Sequence, residues 1–334
     1  MSQEPTTTKR SARNIDGIFL TFPTPLTKDF ALDVNALQNL TAYFCNRPIQ
    51  GISILGKWGE ASYLKFETQK QVIETVGESL KENRSLWVEI QSQSTLEAVE
   101  LAITAKSSGA SGIILNIPWY ENHPIPSILQ HLHLVHQKSS GLPLLIRLES
   151  PRFFEWQSMG LFEHLARFEA VSGFIGPYHT RVHLSTYIRL CHRRKRQYFT
   201  DCCFHLFEAI QHGADGIFCP ISIIMFQDII ELYQKSVEGK KEESKKITQR
   251  LESLQSVIRY TTHSKTQGLS WLWRFQKGSV RFPEVYERHE LSFIKQILQL
   301  QGHHIQATVS PPYPQILDEE KKILIQQLTK LGMI

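Results

Sequence analysis

Eight short apolar runs, each followed by an amphipathic stretch, recur through the first two-thirds of the chain and govern what it can fold into. The runs fall at residues 17–22, 51–55, 85–90, 112–116, 144–148, 171–175, 197–200 and 216–220. They are too short for helices and rich in Ile, Leu, Val and Phe, as strands buried on both faces are. Between them, stretches such as 35–46, 67–81, 95–108, 125–137, 160–168 and 204–212 repeat apolar residues at three and four positions. In the third of these, Ala98, Leu101, Ala102 and Ala105 share one face. Eight such units predict an α/β fold, a closed parallel (β/α)8 barrel of the TIM type over residues 17–221. An open doubly wound sheet would carry a glycine-rich phosphate loop after its first strand, and Phe22-Pro23-Thr24-Pro25-Leu26 is not one.

Beyond residue 221 the strand rhythm stops. Residues 223–238, 244–260, 290–301 and 318–331 read as helices, so 222–334 is expected to form a helical annex packed on the barrel. Asp318, Glu319 and Glu320 suit the start of the last helix, and Lys330 and Gly332 its end. Residues 1–16, polar and rich in Ser and Thr, read as a flexible tail. At 41% hydrophobic and 21% charged over 334 residues, the chain has material for a large core.

The net charge of +5 is mostly local, in Arg193-Arg194-Lys195-Arg196 and in Lys240, Lys241, Lys245 and Lys246. Neither cluster is interleaved with stacking aromatics. They read as a solvated helix end and a solvated helix face, with no nucleic acid or membrane as partner. No run approaches 18 apolar residues, which excludes a spanning helix. Five cysteines, no CxxC pair and no apolar signal segment make a reduced, cytoplasmic setting the expectation. Cys202, Cys203, Cys219 and His179 fall at strand ends. Neighbouring cysteines leave a strand on opposite sides, so packing thiols are favoured over a metal site, and no metal or cofactor is expected.

Against this background, several segments resemble the dihydrodipicolinate synthase / N-acetylneuraminate lyase family. Gly17-Ile18-Phe19-Leu20-Thr21-Phe22-Pro23-Thr24-Pro25 is similar to its first strand, and Asp33 before a helix fits the same start. Gly56-Lys57-Trp58-Gly59-Glu60 falls where the family writes Gly-Thr-Thr-Gly-Glu. Gly109-Ala110-Ser111-Gly112, followed by Pro118-Trp119-Tyr120, looks like its fourth strand. Gly213-Ala214-Asp215-Gly216 matches the approach to the eighth, and Pro311-Pro312-Tyr313-Pro314 with Lys330-Leu331-Gly332 resembles the family's end. The resemblance implies a lyase or synthase on an oxo-acid such as pyruvate, and a homodimer or homotetramer in which Tyr120 reaches a neighbour's site. It also implies a Schiff-base lysine at the end of strand six, a proton-shuttling tyrosine at the end of strand five, and a Thr-Thr pair on the substrate carboxylate.

The departures fall on the chemistry. By position the lysine becomes Ile175, the tyrosine Leu148, and the two threonines Lys57 and Trp58. The arginine expected after strand five falls on Phe153, with Arg152 adjacent. No lysine lies between Lys138 and Lys195. Isoleucine supplies no amine and leucine no phenol, so the usual Schiff-base aldol reaction is not expected, and a pseudoenzyme acting by binding or assembly is favoured. The alternative is an active lyase using Lys57 or a non-covalent route. Lys57 has three readings: a loop lysine in water, a charge facing a ligand carboxylate, or a relocated amine. Trp58, Tyr120 and Arg152 are further substrate-binding candidates, and Glu60 is expected to hold its loop by accepting backbone N–H bonds. Ile175 and Leu148 are expected to point into the barrel mouth. Arg147 and Glu149 are expected on the opposite side, as a barrel–helix ion pair.

Overall fold

Strand alternation, read against the structure, sorts the apolar residues into two cores. The structure, a computed structural model, describes residues 15–80, 84–118, 123–148, 158–176, 181–263 and 290–334. Eight strands, β1 (Gly17–Thr21), β2 (Gly51–Leu55), β3 (Ser85–Ile90), β4 (Gly112–Asn116), β5 (Leu144–Arg147), β6 (Val171–Gly176), β7 (Gln197–Thr200) and β8 (Gly216–Cys219), pair in sequence order. The parallel pairing of β8 with β1, with Gly17 opposite Gly216 and Leu20 opposite Cys219, closes the barrel.

The outer core lies between sheet and helices and takes residues such as Leu20, Ile52, Val88, Ile113 and Phe174. The inner core fills the barrel: Phe19, Trp87, Ile114, Leu145, Ile175, Phe199 and Phe218, each at most 1% exposed. Its aromatics interlock, with Phe19 stacked on Phe218 at 4.4 Å and Phe199 edge-on to Phe218 at 5.1 Å. Gly112 is required there, because a Cβ on it would lie 2.3 Å from the Trp87 ring. A barrel so filled is a packed core without a channel.

The barrel helices are α1 (Val34–Cys45), α2 (Phe66–Ser79), α3 (Thr95–Ser107), α4 (Ile125–Lys138), α5 (Ser158–Arg167), α6 (Arg181–Arg193), α7 (Leu206–Gln211) and α8 (Phe226–Val237). Asp33 caps α1 by accepting from Ala36 N at 3.0 Å, and Ser94 caps α3. Arg196, part of the basic run, donates to Ala166 O in the last turn of α5 and to Phe168 O just past it, so it tethers a helix end rather than lying free.

Helix α8 packs on α7 and against β1. At the other end, residues 1–14 lie outside the described ones, but Ile15 exchanges hydrogen bonds with the Gln197 side chain and is anchored. The annex is α9 (Lys241–His263), α10 (Glu290–Leu300) and α11 (Asp318–Lys330), with α9 packed on α8 and α11. Acidic residues open α11 and Lys330 closes it, in line with its dipole. Among the described residues, no helix is long and apolar enough to cross a membrane.

Candidate functional site at the barrel mouth

Two residues above the inner core, on the same inward face of three adjacent strands, the side chains become polar: Glu89 above Trp87, Asn116 above Ile114 and Arg147 above Leu145. They form one network. Arg147 donates from Nε to Glu89 Oε1 at 2.8 Å and from Nη2 to Glu89 Oε2 at 2.6 Å, and Asn116 Nδ2 donates to Glu89 Oε1 at 2.9 Å. Both charged side chains are 2% exposed. Burying two such charges costs several kcal/mol each, roughly, and only a two-pronged, fully bonded geometry offsets it. Beside this network Ser53 donates to Thr21 Oγ1 at 3.0 Å.

This corrects two expectations. Arg147 does not face a helix; it turns inward and takes the place beside Ile175, its register partner on β6. Leu148 therefore falls on the outer face and joins the sheet–helix core, although its N–H still donates to Ile175 O at 2.8 Å. Ile175 does point inward, fully buried in the inner core. Glu149, Arg152, Phe153 and His179 lie outside the described residues, as do Trp119 and Tyr120.

The β2 loop sits directly on Glu89. Leu55 and Gly56 both adopt positive φ, 63° and 62°, so the chain turns left-handed twice in succession. A Cβ on Gly56 would lie 2.2 Å from Glu89 Cδ, which explains the glycine. Leu55 has no such excuse. A branched, fully buried residue in this region stores on the order of 1–2 kcal/mol, and such strain concentrates at functional loops. The loop is closed by Gly59 N donating to Leu55 O, Ala61 N to Gly56 O and Thr24 Oγ1 to Gly59 O.

Lys57 and Trp58 occupy the tip, both half-buried. The Lys57 ammonium lies 5.2 Å from the centre of the Trp58 ring, within cation–π range. Trp58 itself leans on the sheet–helix core rather than standing as a free wall of the mouth. Glu60, at φ 62°, is wholly buried: it accepts from the Ser310 N–H and pairs with Lys295 of α10, whose Nζ also donates to Thr308 O at 2.7 Å. Burial pulls the Lys295 ammonium below the ordinary lysine value, with the Glu60 charge opposing. The annex thus clamps the base of the β2 loop.

Sequence reasoning missed Glu89, Asn116 and Lys295. A signal existed for Glu89: in the run Ser85-Leu86-Trp87-Val88-Glu89-Ile90 it is the charged residue in phase with Trp87. Among the described residues, no three His, Cys, Asp or Glu side chains are placed to hold a metal.

A closed parallel barrel with polar side chains at the carboxyl ends of its strands, and C-terminal helices clamped to its β2 loop, defines an aldolase-type (β/α)8 protein. The chain belongs to the dihydrodipicolinate synthetase family, whose profile matches residues 14–272. It is 28% identical over 123 residues to the 4-hydroxy-tetrahydrodipicolinate synthase of Prochlorococcus marinus (strain NATL2A), covering 37% of this chain and 41% of that one. To the N-acetylneuraminate lyase of Escherichia coli O1:K1 / APEC it is 27% identical over 135 residues, 40% of this chain and 46% of the lyase. The matched stretch is therefore less than half the length of these relatives. Among solved structures, a catalytic lysine mutant of Ruminococcus gnavus sialic acid aldolase superposes with a TM-score of 0.81 at 18% identity, covering 97% of this chain and 98% of the aldolase. The dihydrodipicolinate synthase of Bacteroides thetaiotaomicron gives 0.78 at 20% identity, covering 94% and 98%. At these identities the likeness speaks for the fold.

Proposed function

We propose that this protein is a synthase/lyase-like barrel that does not run the Schiff-base aldol reaction through its sixth strand, and that it binds a small oxo-acid or carboxylate at the mouth beside Lys57. One observation carries the reading. The inward position near the end of β6 is Ile175, sealed among aromatic and aliphatic side chains, and its inward neighbour Arg147 is engaged by Glu89. An amine nucleophile needs a nitrogen at a fixed point in the pocket, and neither position supplies one. Lys57 is a cation on the face where barrels of this kind bind their ligands.

The second reading is an active lyase with Lys57 as a relocated amine, favoured by the doubly left-handed turn that fixes the residue before it. Borohydride reduction with pyruvate and other oxo-acids separates the two. The first predicts no covalent adduct by mass spectrometry; the second predicts one that maps to Lys57. Assembly into a dimer or tetramer belongs to the same proposal, and sedimentation at micromolar concentration tests it, a monomer counting against it.

A further inference from the structure

On the helical outside of the barrel, where α1, α8 and the end of α10 meet, a guanidinium and an imidazole share one aromatic frame. Arg47 follows α1 in a tight turn. Its N–H donates to Phe44 O, and Arg84 holds the carbonyls of Cys45 and Arg47 at 3.1 and 2.8 Å. The Arg47 guanidinium carbon lies 4.4 Å from the centre of the Tyr43 ring and 5.3 Å from that of Phe226, the first residue of α8. His303 comes to the same frame from α10. Gly302, at φ 90°, turns the chain after that helix, and the His303 N–H donates back to Leu298 O, as in a Schellman cap. The neighbouring Gln301 side chain donates to Ile224 O at 3.0 Å, which fastens this turn just ahead of α8. The His303 ring thereby stands edge-on to Tyr43 at 4.7 Å and lies 5.4 Å from Phe44.

Arg47 and His303 are both half-buried, and exposed His304 follows at once. Among the described residues, no carboxylate pairs with any of the three. Asp228, the acid in the first turn of α8, is engaged by Arg250 at 2.7 Å. The rings hold the face of the Arg47 guanidinium by cation–π contact and cover its Nε, which is buried without an acceptor. Its two Nη groups are left on the solvent side. A planar fork held this way, with an imidazole on the same tyrosine, lacks only its acceptor.

We propose that Arg47, His303 and His304 form a binding site for a doubly charged oxyanion, a phosphoryl group in particular. The Nη groups donate to two of its oxygens, and the imidazoles donate to the others once protonated. The groups that face His303 are Arg47, His304 and the neutral Tyr43 phenol. Burial, with Arg47 and His304 beside it, lowers the His303 pKa while the site is empty. A bound anion offsets that repulsion and raises it, so binding takes up a proton and tightens as the pH falls. A dianion gains from the guanidinium and the imidazole together, which a single carboxylate cannot do as fully. The mouth takes no part, so this site stands apart from the oxo-acid binding proposed there.

The test titrates inorganic phosphate into the full chain and reads the ring signals of isotope-labelled histidine by NMR, with His303→Gln and His304→Gln to assign them. Of the 14 histidines, only His303 and His304 should shift, and they should saturate together. Sulfate, whose charge is constant from pH 5.5 to 8, should bind more tightly at pH 5.5. Arg47→Met should weaken phosphate roughly tenfold or more, Arg47→Lys by less, and Arg193→Met in the basic run should change nothing. Shifts that do not saturate or that spread over all the histidines would overturn the proposal, as would acetate binding as tightly as phosphate or an unchanged affinity in Arg47→Met. The titration of the unaltered protein decides this even where a variant folds poorly.

Discussion

Arg147 and Glu89 meet inside the barrel, on strands separated by β4, and Asn116 on that intervening strand donates to the same carboxylate. The ion pair occupies the polar layer directly above the inner core, with both side chains 2% exposed. Its contribution is to geometry: it holds the floor of the mouth closed beneath Gly56.

Removing either partner alone strands a buried charge. Arg147→Met or Glu89→Gln should therefore cost about 3–5 kcal/mol in urea unfolding. Glu89→Met combined with Arg147→Met removes both charges at once and should cost less than either single change. A double variant as unstable as the sum of the singles would mean that the two charges are not coupled, against the reading of a stranded charge.

Lys57→Met should weaken oxo-acid binding by about 1–3 kcal/mol, roughly five- to a hundred-fold, while Lys57→Arg, which keeps the charge, should be tolerated. Titration calorimetry reads both. Unchanged affinity in Lys57→Met, or no oxo-acid bound by the unaltered protein, would leave Lys57 a loop lysine.

How much of this was open to a reader of the sequence depends on the range of the physics involved. Strand and helix periods are local, and the eight strands lie within a residue of their expected ends. The inward aim of Ile175 was legible for the same reason. Leu148 was misjudged because its inward aim was taken from the family tyrosine's position, whereas the pleat of β5 runs from the inward Leu145, which turns Arg147 inward and Leu148 outward. Glu89 with Arg147 is a meeting of residues 58 apart, which no local period encodes.

Lys295→Met should leave Glu60 buried without its counter-charge. A loss of about 3–5 kcal/mol is expected, and amide exchange should rise in the β2 loop and around Ser310, where the clamp is released. Mass-spectrometric hydrogen exchange checks this, and exchange raised uniformly over the barrel instead would argue against a local clamp.

His131 gives the fold an acid edge. Its Nδ1 lies 2.9 Å from Thr95 Oγ1 across the α3–α4 contact, and its Nε2 is buried without a hydrogen-bond partner. Burial, aided by His123, lowers its pKa from 6.5 to about 4. The unfolded chain thus takes up this proton at a higher pH than the folded one. Stability from this group is complete above pH 6.5 and falls as the pH drops from there towards 4, by at most about 3 kcal/mol. Urea midpoints at pH 7, 5.5 and 4.5 should show the decline, and His131→Gln should flatten it. A slope unchanged in the variant would assign the acid sensitivity elsewhere.

The clamp between Glu60 and Lys295 joins residues 235 apart. During synthesis the β2 loop leaves the ribosome long before its counter-ion exists. At about 5–20 residues per second the wait is roughly 10 to 50 s. Through that interval Glu60 has no buried ammonium to pair with, so it stays hydrated and the loop carrying Lys57 has not taken its final shape. The mouth of this barrel is thus completed from the far end of the chain, and a nascent protein stalled before α10 would carry all eight strands and an unfinished site.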